Sequence, residues 1–190
     1  MIRTLAIWLL CELALAAGTP QKYSYWVEPC THAESECQAD DPQLAEWAFE
    51  AWQKASEGAL EFQRLKDATH ARIRVYWATA AQGLYGEARP IEVDGKVGAE
   101  VYVRPAPLRT NEDRLLRDAI VYLTCLHETG HALGLPHTSV FEDIMYSFQY
   151  GGDIPQYFGR YRRKLETRDD IRKNSGMSEA DRKRVQRGRP

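Results

Sequence analysis

The apolar positions change period several times along the chain, and each change marks an element. Tyr23-Ser24-Tyr25-Trp26-Val27-Glu28 is aromatic-rich and partly alternating, which predicts a strand. Asp41 followed by Pro42 reads as an N-cap and first helical position. Leu44, Trp47, Ala48, Ala51, Trp52 and Ala55 then recur at helical spacing until Gly58. Residues 60–65 alternate weakly, as a short strand, and residues 71–77 alternate cleanly, as a half-buried one. Asp94-Gly95 between Ile91/Val93 and Val97 predicts a hairpin turn, and residues 100–103 a further strand. In the long helix that follows, Thr110 or Asn111 is the expected cap and Gly134 the stop. Leu115, Leu116, Ala119, Ile120, Leu123, Leu126, Gly130 and Leu133 form its apolar face. Between Tyr146 and Met177 no period is readable, and Ser178 with Asp181 opens a last helix. The order strand–helix–several strands–long helix–loop–helix predicts an α+β (mixed α/β) fold without repeats or linkers.

The N-terminus departs from this pattern. Arg3, an apolar run over residues 5–17 and the small residues Ala16-Ala17-Gly18 predict a secretory signal over residues 1–18, with the mature chain starting at Thr19. A retained membrane anchor is the alternative, because Glu12 interrupts the run. The implied location is secreted, extracellular or periplasmic, with no membrane contact beyond the signal. There Cys30 and Cys37, with six residues between them, are candidates for a disulfide, two unpaired thiols being the alternative. Cys125 reads as a small buried hydrophobe on the long helix.

Composition narrows the class. A chain of 190 residues suits a single domain, here residues 19–190, and five Trp, ten Tyr and five Phe exclude a largely disordered one. No apolar stretch of about 20 residues occurs beyond the N-terminus, which excludes a multi-span membrane protein. The formal net charge of -2 argues against a specific nucleic-acid partner. That charge is unevenly distributed. From residue 160 onward twelve Lys and Arg face five Asp and Glu, leaving thirteen basic against twenty-two acidic residues in the rest. A basic segment of this kind is either a patch for anions or, more commonly, a solvated face.

The chemistry concentrates at the end of the long helix, in His127-Glu128-Thr129-Gly130-His131-Ala132-Leu133-Gly134-Leu135-Pro136-His137. Five residue types at fixed spacings recur by chance in on the order of 1 in 10⁴ chains of this length. His127 and His131, four apart, project from one helix face about 40° apart and can chelate one ion. Gly134 lets the chain turn back and bring up His137 as a third nitrogen. Three imidazoles leave a fourth position for water, as in catalytic zinc sites. Glu128, about 100° around the helix from His127, can reach that water as general base without ligating. Cys125 lies about 200° around from His127 and points away, while His32 and His70 read as ordinary surface or core residues.

These eleven residues resemble the metzincin zinc-endopeptidase signature H-E-x-x-H-x-x-G-x-x-H with its Met-turn. Asp143-Ile144-Met145-Tyr146 looks like that turn, and its place eight residues after His137 is similar to the matrixin branch. The resemblance implies a twisted, mainly parallel sheet with an antiparallel edge strand, a long active-site helix, the Met-turn and a C-terminal helix. It gives Met145 the role of a hydrophobic floor beneath the zinc ligands. Residues 86–90 resemble the matrixin edge strand, where substrate adds as an antiparallel strand, so Gly86, Ala88 and Tyr146 become substrate-binding candidates. Residues 177–181 resemble the start of the last matrixin helix. Thr138 stands where matrixins usually carry Ser. Ser147 stands where they commonly carry Pro, in the wall of the primed-side pocket. One catalytic Zn²⁺ is expected, with no second zinc cluster, no evident calcium loop and no room for a prodomain.

The leading expectation is therefore a secreted, monomeric zinc endopeptidase acting on extended polypeptide, with zinc-activated water and Glu128 as base. A binding or adhesion protein using the basic segment, and a zinc exopeptidase, are the competing readings.

Overall fold

The computed structural model describes residues 19–79, 85–107 and 113–187; the signal expected over residues 1–18 and the helix cap expected at Thr110 or Asn111 lie outside them. Among the described residues five strands form one sheet: β1 (Gln21–Val27), β2 (Leu60–Arg64), β3 (Ile73–Trp77), β4 (Gly86–Val93) and β5 (Lys96–Val103). Helices α1 (Asp41–Ala55), α2 (Arg114–Ala132), α3 (Ile154–Arg162), α4 (Asp170–Lys173) and α5 (Glu179–Arg187) complete the fold. The sheet order is β2-β1-β3-β5-β4. All pairings are parallel except that of β4 with β5, which makes β4 an antiparallel edge strand. This is the mixed α/β, mainly parallel architecture expected. The hairpin turns at Asp94-Gly95, where both residues have positive φ, the twist that a two-residue turn between paired strands needs.

Alternation decides which sheet face is covered. Tyr25, Val27, Ile73, Val75, Trp77, Val101 and Val103 are buried in one core cluster with Leu44, Trp47 and Trp52 of α1 and Leu126 of α2. The intervening Trp26, Arg74, Tyr76, Glu100 and Tyr102 are only half-buried. Trp52 also donates its indole N–H to the Leu126 carbonyl at 2.9 Å, tying α1 to α2 one residue before His127. Cys125 is free and fully buried in this core, as expected. Cys30 and Cys37 are joined, their Cα atoms 5.4 Å apart.

Three local expectations shift. The cap of α1 is Asp40, not Asp41, because the Asp41 carboxylate is taken by the Gln38 amide and by the Arg117 guanidinium in a buried pair. Asp113 caps α2, accepting from Leu115 and Leu116 amides at 3.0 and 3.1 Å. The aperiodic stretch after Tyr146 contains α3. Asp153 caps it through the Gln156 amide, Pro155 sits in its first turn, and Tyr157, Phe158 and Tyr161 are buried. At nine residues it spans too few turns to display a period. Among the described residues no helix is long and apolar enough to cross a membrane.

The basic segment is docked rather than free. Arg162 pairs with Asp113 at 2.7 Å, Arg168 with Asp118 at 3.2 Å, Arg172 with Glu50 at 2.6 Å and Arg184 with Asp143 at 2.6 Å. Each pair joins the positive C-terminal segment to an acid in the negative remainder of the chain.

Candidate metal centre and cleft

The exit of α2 shapes the site. Leu135 N–H donates to the Gly130 carbonyl at 3.0 Å and Gly134 N–H to that of His131 at 2.9 Å, with Gly134 at φ +84°. This is the Schellman arrangement, which needs a left-handed residue at that position and so favours glycine. It reverses the chain and delivers His137 to the face that carries His127 and His131. The returning segment is pinned by Thr138 N–H to the Met145 carbonyl at 2.8 Å and by Ser147 N–H to the Thr138 carbonyl at 3.1 Å.

The imidazoles converge. His137 Nε2 lies 3.2 Å from His127 Nε2 and 3.0 Å from His131 Nε2. His127 Nδ1 faces the Ile144 carbonyl at 2.6 Å and His131 Nδ1 that of Leu135 at 2.9 Å. A carbonyl only accepts, so both Nδ1 atoms carry the proton and both Nε2 atoms present lone pairs to the centre. If His137 also presents its Nε2 lone pair, the three nitrogens can share one cation. A tetrahedral ion with bonds of about 2.0–2.1 Å would separate its nitrogens by about 3.3 Å, so the triad fits zinc. Burial pushes the His127 imidazole down to about 4, with His131 and His137 adding to the effect, and burial also lowers His131. Both are thus neutral, as ligands must be. Among the described residues Cys30, Cys37 and Asp41 also cluster, but the disulfide removes both thiols as ligands.

Glu128 is buried at the side of this triad, and burial, reinforced by Glu87, pushes its carboxyl up to about 8. A cation held by the histidines would favour the ionised form instead, so the state of this group depends on the metal. Met145 is fully buried, and its Sδ packs on the helix backbone at Gly130, between His127 and His131 in sequence. A Cβ at position 130 would lie 2.4 Å from that sulfur and 3.0 Å from the Trp52 ring. Sequence reading placed Gly130 merely on the apolar face. A glycine inside a helix, about 1 kcal/mol worse than alanine, was the signal of close approach.

A cavity of about 270 Å³ opens beside His127, Glu128 and His137, lined also by Gly86, Leu123, Thr124, Tyr146, Ser147 and Phe148. Tyr157 and Phe158 of α3 and Tyr85 before β4 complete it. Sequence reading found Gly86, Tyr146 and Ser147 here but missed the α3 aromatics; the Asp153-Ile154-Pro155 helix start was their available trace. Ala88 shares the inward face of β4 with Gly86 and packs on the core.

The turn carrying Met145 is tied to α5. Asp143 accepts from Ser178 Oγ and from Arg184, each at 2.6 Å, and Ile144 N–H donates to Asp181 at 2.8 Å. Ser178 and Asp181 cap the helix reciprocally. Burial alone would raise the Asp143 carboxyl, but the bonds from Ser178 and Arg184 outweigh it and hold it below the usual value. A group depressed in the folded state stabilises above its unfolded value near 3.8 and loses that contribution as pH falls through its folded value. Asp143→Ala should therefore cost about 1–3 kcal/mol at pH 7, and urea unfolding should show the difference shrinking below about pH 4. A difference unchanged at pH 2 would contradict the arrangement.

A sheet with an antiparallel edge strand, a helix bearing two candidate ligands and a buried methionine turn together define a metallopeptidase of the metzincin type. The matrixin family profile matches residues 19–156, and the chain belongs to that family; it is a zinc metallopeptidase whose substrate is polypeptide. Among solved structures, archaemetzincin from Methanopyrus kandleri is similar at 16% identity, over 91% of this chain and 97% of that one, with a TM-score of 0.42.

Proposed function

We propose that the protein is a secreted endopeptidase that cuts extended polypeptide internally, with Glu128 as general base. The observation that carries this reading is the meeting, in one cleft, of the three Nε2 atoms, the Glu128 carboxyl and the edge strand β4 at Gly86. His127, His131 and His137 would hold the zinc. When bound, that ion polarises the scissile carbonyl and lowers the pKa of a coordinated water towards about 7. Glu128 takes the proton of the attacking water and returns it to the leaving amine. The β4 edge aligns the substrate main chain as an added strand, which suits a bond within a chain better than one at its end. Leu123, Phe148, Tyr157 and Phe158 offer an apolar pocket for a neighbouring substrate side chain. The internal pairing of Arg162, Arg168, Arg172 and Arg184 supports this reading over an anion-binding role for the C-terminal segment.

Export rests on Arg3, the apolar residues 5–17 and the small residues that follow. Protein collected from the culture medium should begin at Thr19 and cut casein into internal fragments visible by mass spectrometry. 1,10-Phenanthroline should abolish the cleavage and added zinc restore it. Products shortened one residue at a time would establish an exopeptidase instead. Salt-sensitive heparin binding without cleavage would favour the binding protein.

A further inference from the structure

Gly86 is not demanded by its own backbone, which lies outside the left-handed region. What demands it is the neighbouring helix. A Cβ at this position would stand 2.6 Å from Glu128 Cγ, 2.7 Å from Glu128 Oε1 and 2.8 Å from Thr124 Cγ2. Real Cβ atoms essentially never approach so closely. The bare strand backbone therefore rests directly on the Glu128 side chain. Thr124 closes the other side, and its rotamer is held by the hydroxyl bond to the Ile120 carbonyl at 2.8 Å, so its methyl is not free to swing away. The Glu128 carboxylate makes no hydrogen bond among the described residues. Packing between one strand and one helical turn is what aims it.

We propose that Gly86 is a positioning residue for Glu128: the absent side chain forms the slot that holds the carboxylate against the metal site. Any side chain at position 86 pushes the flexible carboxylate arm aside and leaves His127, His131 and His137 where they are. The proposal rests on the reading of Glu128 as base. It also makes β4 bifunctional, since the strand that would align the substrate main chain holds the proton acceptor on its inner face.

The test is Gly86→Ala in the zinc-loaded enzyme, with kcat and KM measured separately on a peptide. In parallel, the side-chain carboxyl carbon of Glu128 is followed by ¹³C NMR in metal-free protein and assigned by its absence in Glu128→Gln. The expected result is a kcat lower by about 10²-fold, the usual cost of misplacing a reacting group by about 1 Å. KM, zinc content and Tm should stay near their starting values, and the carboxyl resonance should move. An unchanged kcat, or a raised KM with kcat intact, would overturn the proposal, the latter by assigning Gly86 to substrate seating alone. A resonance that does not move, or loss of zinc or of the folding transition, would overturn it as well. If the unaltered protein cleaves no peptide, the endopeptidase reading fails while the resonance still reports the contact.

Discussion

Glu128→Gln should reduce kcat/KM by about 10²–10⁴-fold while the protein keeps its zinc. Gln preserves the volume of the side chain and removes its ability to accept a proton. His127 and His131 hold their orientation through the Ile144 and Leu135 carbonyls and do not depend on Glu128. Stability should move the other way. Glu128 is only 7% exposed and has no hydrogen-bond partner among the described residues, so its ionised form is costly to bury. Metal-free Glu128→Gln protein should accordingly unfold at the same or a higher temperature than the unaltered protein, as when an active-site group trades stability for chemistry. Metal analysis, calorimetry and peptide kinetics on one preparation read all three. Robust peptide cleavage by Glu128→Gln would sink the assignment of the base.

Gly130→Ala should damage both stability and metal binding, against its intrinsic preference. Ala in a helix interior is favoured over Gly by about 1 kcal/mol. Here the new methyl would meet Met145 Sδ at 2.4 Å with the Trp52 ring behind it at 3.0 Å. Met145 and Trp52 are both fully buried, and Trp52 is tethered to the Leu126 carbonyl, so neither has open space to enter. Overpacking of this kind costs about 1–3 kcal/mol, enough to cancel the helix gain and leave a net loss. Because Gly130 lies between His127 and His131, strain there also tilts the ligands. The expected outcome is a lower Tm together with weaker zinc affinity by competition with a chelator. A Tm above that of the unaltered protein would mean that the methionine turn can move away at no cost, and that Met145 is no fixed floor.

The residues differ in how visible they were before folding. The ligand spacing, the Gly134 exit and the Asp94-Gly95 hairpin are local rules, each enforced within one or two turns of chain. They survive in the fold unchanged. Less visible were features whose partners lie far apart in sequence. Asp41 reads as a cap until Arg117 is known to claim it, Gly86 as an edge-strand residue and Gly130 as one more position on the apolar face until Glu128 and Met145 are seen against them. Helix α3 is hard to see because nine residues with two arginines and three buried aromatics show too few repeats to define a period. Its Tyr157 then anchors to the methionine turn through the Asp143 carbonyl at 3.0 Å, a contact no local pattern announces.

The docking of the positive C-terminal segment on the negative remainder has a consequence for the order of assembly. Asp118 and Asp143 are almost completely enclosed, and their cationic partners Arg168 and Arg184 come late in synthesis. Until those arginines arrive, closing the helix and the methionine turn would enclose carboxylates lacking these countercharges, which is strongly unfavourable. The carboxylates of α2 and of the methionine turn are therefore fully compensated only once the C-terminal segment has docked. A chain cut short after residue 160 keeps His127, His131, His137 and Glu128 and loses the pairs that Arg168 and Arg184 make with Asp118 and Asp143.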